Sequence, residues 1–250
     1  MPEAIKWFSR AIEKDPLNVD ALTSRAVMCA HSGHVDLALQ DATPALRLNP
    51  KSTDAYFARA MAFRHRGEID KAIADLSEAI RLNPRRWNLF SMRGEDYARQ
   101  HQLKEALADY DRAIELDPNK AINFVSRAEV RISLGKYAAA LKDFERAQKL
   151  EPELPATYDA FSRLLATCPD REPRDGKRAL EYAKIAMELN PNREEQWETY
   201  ATASAAVGDF EQAIEWQQRF AYFKGLSEPQ RSEAERRLAL YKKGQFSFDK

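Results

Sequence analysis

The side chains able to do chemistry are few, and their spacing decides against most of it. His31 and His65 lie 34 residues apart, with Cys29 two before the first. Zinc takes about four closely spaced nitrogen, sulfur or oxygen ligands, and no such spacing occurs here, so no metal site is expected. No glycine loop of the GxxxxGK type is present to cradle phosphate, and no GxSxG elbow to hold a nucleophile. Carboxylates are abundant, but they recur at helix-surface spacing with a Lys or Arg three or four residues away, as Glu68 and Lys71 do. No catalytic residue and no cofactor are expected, and the chain is not expected to be an enzyme.

One charged pattern is periodic. Arg25, Arg59, Arg93 and Arg127 follow one another at 34-residue intervals. Sixteen residues after each stands an acid: Asp41, Asp75, Asp109 and Asp143. In the two later periods both columns change together, to Phe161 with Tyr182 and to Tyr200 with Trp216. Joint replacement implies that the two columns meet. They are expected to form repeated structural ion pairs; a ladder of arginines gripping an anion would need guanidinium groups without carboxylate partners.

Charge excludes further classes. Lys plus Arg and Asp plus Glu are 39 each, so no global field recruits nucleic acid or an anionic membrane. Basic clusters at Arg81, Arg85 and Arg86, beside Trp87, and at Arg171, Arg174, Lys177 and Arg178 are local and diluted by Glu78, Asp170 and Asp175. Nucleic acid needs a continuous basic stripe, so it is not an expected partner. No apolar run approaches the ~20 residues that span a bilayer. The start, MPEAIKWFSR, lacks the apolar segment of a secretion signal. The two cysteines imply no disulfide framework, and a reduced, cytoplasmic setting is the working expectation.

The elements that position these residues are set by proline. Pro16, Pro50, Pro84, Pro118 and Pro152 are each 34 residues apart, and Pro191 follows 39 later. Each closes an apolar run spaced like a helix face, such as Ala72, Ile73, Leu76, Ala79 and Ile80. The residue before proline is pushed out of the α region, which stops the helix. Gly33, Gly67, Gly135 and Gly208 supply a second break inside the period. Two helices per period follow. Neither buries its apolar stripe alone, so the pairs must stack. The expected fold is all-α, a right-handed α-solenoid of antiparallel helix pairs.

Aligned on the prolines, full units begin at Val19, Thr53, Trp87, Ala121, Pro155 and Glu194. Position 8 is small throughout: Ala26, Ala60, Gly94, Ala128, Ser162 and Ala201. Position 20 is alanine in all six: Ala38, Ala72, Ala106, Ala140, Ala179 and Ala213. Large residues fill position 4, from Leu22 and Tyr56 to Trp197. This pattern resembles the tetratricopeptide repeat (TPR) over about residues 1 to 227. The expected organisation is a half repeat at 1–18 holding a second helix alone, then units 19–52, 53–86, 87–120, 121–154, an extended 155–193, and 194–227. Residues 228–250 form a polar capping helix and tail, which Ser227 and Gln230 open as a capping box. The stretches LATCPD and RDGKRALEYA, with the RLALYKKGQ tail, resemble the closing units of certain bacterial repeat proteins.

The resemblance implies a concave groove lined by first helices, and a function as a protein–protein interaction scaffold. It places Phe57, Met61, Arg64 and His65 of the second unit in that groove, with Asn88, Ser91, Met92, Glu95 and Arg99 of the third. Val125 and Glu129 of the fourth complete the expected partner-binding set. Close packing of Phe57 and Met61 between neighbouring first helices is the alternative for those two. The partner is expected to be a protein or peptide. A chaperone C-terminus is not expected, because Lys at position 5 and Asn at position 9, the carboxylate clamp of tail-binding relatives, are both missing. Two other roles stay open: a docking or regulatory part of a longer protein with an enzymatic or membrane part upstream, and a self-assembling module. The incomplete first unit motivates both. It leaves Trp7, Phe8 and Ile12 without a covering helix, a possible site of homo-oligomerisation.

Overall fold

The structure, a computed structural model, describes residues 3–170, 174–191 and 193–246. Arg171 of the second basic cluster, and residues 247–250 of the expected tail, lie outside them. Among the described residues are fourteen helices, which group into two units, Met1–Pro118 and Asn119–Lys250. The first unit holds α1 (Glu3–Lys14), α2 (Val19–His31), α3 (Val35–Leu48), α4 (Thr53–His65), α5 (Ile69–Leu82), α6 (Trp87–Arg99) and α7 (Leu103–Leu116). The second holds α8 (Ala121–Ser133), α9 (Tyr137–Leu150), α10 (Pro155–Thr167), α11 (Gly176–Leu189), α12 (Glu194–Ala206), α13 (Phe210–Ala221) and α14 (Glu228–Lys242). The chain is all-α. Within each unit the closest packing joins the two helices of a pair, such as α4 with α5 or α10 with α11, and each pair then stacks on the next. The finer division into six pairs, a half repeat and a closing segment is proposed from the sequence period.

Proline acts as the sequence implies. Asn49, Asn83 and Asp117, each preceding a proline, sit at φ −133°, −136° and −141° with ψ near 90°, outside the helical region. The steric demand of the next ring therefore ends α3, α5 and α7 at equivalent points. Inside the pairs the turn needs a left-handed residue. Gly33, Gly67, Gly135 and Gly208 take φ between 71° and 83°. In the α6–α7 turn that slot falls on His101, at φ 57°.

The alanine columns are contact surfaces. All six alanines at position 20 are fully buried. The partners at position 8 lie directly against them: Ser162 Oγ donates to the Ala179 carbonyl at 2.7 Å. A Cβ built on Gly94 would sit 3.3 Å from the Ala106 carbonyl oxygen. Any longer side chain there would force the helices apart. At the far end Ser227 and Gln230 form the capping box that opens α14, which buries Ala234, Leu238 and Tyr241.

Candidate partner-binding surface

Each periodic arginine reaches the acid sixteen residues on. Arg25 Nε and Nη2 donate to Asp41 at 2.7 and 2.8 Å, and Arg59 donates twice to Asp75 at 2.7 Å. Arg93 meets Asp109 at 2.8 Å, and Arg127 meets Asp143 at 3.0 and 2.7 Å. The four carboxylates are buried, and the bonds are bidentate, the arrangement in which Arg holds carboxylate most firmly. Hydrogen bonding to the acid pushes the Arg25, Arg59 and Arg93 guanidinium groups above their already high range. Arg131 adds a further donor to Asp143 at 2.6 Å. Where the columns turn aromatic, the rings meet instead: Phe161 and Tyr182 at 4.9 Å between centroids, Tyr200 and Trp216 at 5.4 Å.

In the first unit, Met61, Arg64 and His65 of α4 and Glu95 and Arg99 of α6 surround a cavity of about 230 Å³. His65 and Arg99 are exposed, the other three half-buried. The charges are linked across the helices. Arg64 contacts Glu95 at 2.6 Å and donates through Nε to Asp96 Oδ1 at 2.7 Å, while Arg99 donates to Glu95 at 2.6 Å. Asp96 is fully buried, and its Oδ2 accepts no hydrogen bond. Burial raises its carboxyl above the usual range, with Arg64 pulling it back down. Asp96 was not singled out in the sequence, although a signal exists: the same unit position elsewhere is Met28, Ala62, Val130, Leu164 and Ala203, all apolar.

One expected groove residue is corrected. Phe57 is 3% exposed, packed with Leu76, Leu89 and Phe90, and capped by the Arg86 guanidinium 4.9 Å above its ring. It is core, as the alternative for that residue held. Val125, in the second unit, is 3% exposed and lines a cavity there with Ser126 and Glu129. Asn88, Ser91 and Met92 are half-buried; Asn88 accepts from Arg86 at 3.1 Å, and Met92 packs against the Phe57 cluster. Glu129 is exposed in the second unit and accepts from Arg163 at 3.2 Å. Cys29 lies in the core, and the His31 ring stands 5.8 Å from that of Phe57. Within the basic clusters, Arg81 pairs with Glu78 and Arg86 with Asp54, while Arg174 donates to the carbonyls of Cys168 and Pro169 and Arg178 to the Tyr182 hydroxyl.

Helix pairs of one repeating length, close-packed on alanine and stacked in order, define a helical-repeat protein. Models of the tetratricopeptide repeat match residues 32–86, 87–120 and 124–154. The chain is a tetratricopeptide-repeat protein. Solved structures agree at the level of fold. PilF of Pseudomonas aeruginosa is 19% identical with a TM-score of 0.71, covering 88% of this chain and 97% of its own. A tetratricopeptide repeat protein from Parabacteroides merdae is also 19% identical, at TM-score 0.71, covering 95% of this chain and 91% of its own. YrrB, described as a TPR protein with an unusual peptide-binding site, is 22% identical at TM-score 0.60, covering 76% of this chain and 95% of its own. No curated protein sequence matches the chain. No helix among the described residues is long and apolar enough to cross a membrane.

Proposed function

We propose that the chain is a non-catalytic protein–protein interaction module that binds an extended segment or helix of a partner on the α4–α6 face of its first unit. Family membership makes an interaction module the general reading. The cavity ringed by Met61, Arg64, His65, Glu95 and Arg99 carries the particular one. A thioether there adapts to varied apolar anchors, and partly exposed charges of both signs orient a bound segment. That YrrB, of like fold, is described with a peptide-binding site supports a peptide as the ligand class. A cytoplasmic setting belongs to the same proposal and is tested by fractionating the native source. Binding is tested by panning a dodecamer peptide library on the full chain and measuring selected peptides by calorimetry. Met61→Ala with Arg99→Ala should weaken them about tenfold or more; equal affinities would remove this face from the proposal.

A second reading, self-association through α1, has its own observation. Trp7 is 60% exposed beneath the Arg10 guanidinium, and Leu17 just beyond the helix is 68% exposed. Phe8 and Ile12 are half-buried. Light scattering that gives the monomer mass at high concentration would dismiss it.

A further inference from the structure

In the second unit, α8, α10 and α12 line a cavity of about 220 Å³ whose charges do not balance. Three carboxylates, Glu129, Asp159 and Glu195, face it, against two guanidinium groups, Arg163 and Arg193. Arg193 lies 3.3 Å from Glu195, which leaves one cation for two acids. Arg163 Nη2 is divided between them, 3.2 Å from Glu129 and 3.6 Å from Asp159. A second, independent feature concerns hydrogen bonds. Gln196 lines the same cavity, is 3% exposed, and its Oε1 accepts nothing; Asp159 Oδ1 accepts nothing either. A buried acceptor without a donor costs about 1–3 kcal/mol, so a ligand that brings donors is favoured there. Both shortages have one sign. The cavity lacks positive charge, and it lacks N–H donors.

We propose that this cavity receives a lysine or arginine side chain of a bound partner segment, with Asp159 and Glu129 as counter-charges and Gln196 accepting at its floor. An ammonium or guanidinium group brings positive charge and several donors together, while an anion would meet surplus carboxylate and guanidinium groups already engaged. The inference rests on the chain being a peptide-binding module, and it names the chemistry of a subsite distinct from the α4–α6 face.

The test uses the full chain and the dodecamer library. Selected peptides should share a basic residue at one fixed place, and replacing it by Gln should cost about tenfold in affinity. Asp159→Asn, which keeps the side-chain shape, should cost as much against the basic peptide and little against its Gln version. Ala156→Arg, which puts a guanidinium inside the cavity, should block the basic peptide in a chain whose circular dichroism is unchanged. Peptides without basic enrichment, or a basic peptide that Asp159→Asn and Ala156→Arg bind within about twofold of the parent, overturn the inference. If such peptides still lose affinity with Met61→Ala/Arg99→Ala, the proposed function survives without this subsite. If the library gives no binder at all, both fall.

Discussion

The buried ion pairs are the residues whose removal should be felt most. Asp75 is 5% exposed and receives both of its hydrogen bonds from Arg59. Arg59→Ala leaves that carboxylate buried and uncompensated, a loss of about 3–5 kcal/mol for such pairs. Removing both partners should cost clearly less than the two single losses summed; strict additivity in denaturant unfolding would mean that the contact carries no coupling. Asp96 makes stability depend on pH. Its folded carboxyl lies above the ordinary 3.8, so the folded state binds its proton more tightly than the unfolded chain. That contribution is complete at low pH and is lost as pH rises through 3.8 and up to the folded value. Asp96→Asn lacks the titration, so its stability should gain on wild type over that interval and run parallel above it. A difference flat across those pH values would show that Asp96 keeps its ordinary affinity. Arg64 explains why this residue was missed: it supplies the counter-charge from another helix, 32 residues away, at a distance the local pattern does not encode.

At the scale of the element, most of the fold was legible, because its determinants are local. A proline sets where α3, α5 and α7 stop, and a glycine sets where paired helices turn, each acting through its own backbone. The surface was less legible, because exposure depends on what a neighbouring helix places above a residue. Phe57 lies on the expected face of α4, yet Arg86, from the turn before α6, closes over its ring. Where the local rule is broken, a gain should be available. His101 holds φ 57° in a slot that glycine fills in four equivalent turns. Left-handed backbone costs a side chain about 1–2 kcal/mol, and the extra freedom of glycine when unfolded offsets part of that. His101→Gly should raise the melting midpoint by a few degrees. A lowered midpoint would mean that the imidazole makes a contact worth more than the strain. Pro44 is the other local conflict, inside α3 with no N–H to give. Pro44→Ala should stabilise, by up to about 3 kcal/mol, if the neighbouring chain leaves room for a straight helix.

For the molecule as a whole, the packing pattern dictates how stability is shared. Within the first unit, helices pack on their neighbours in sequence or on the helix two further along, as α2 does on α4. The buried cluster around Phe57 and the one around Cys29 are separate. Stability should then be close to a sum of helix-pair and nearest-neighbour interactions. Damage should stay local, unlike in a two-state domain, where one lesion lowers every protection factor together. Ala72 is a sharp probe, being fully buried at the α4–α5 contact column. Ala72→Met would insert a longer chain where the helices approach most closely, an overpacking worth about 1–3 kcal/mol. Amide hydrogen exchange should quicken in α4, α5 and α6 and stay near wild type in α1 and α2. Equal acceleration across all of these helices would show that the first unit unfolds as one cooperative body, and that the repeat is a feature of its sequence and geometry but not of its energetics.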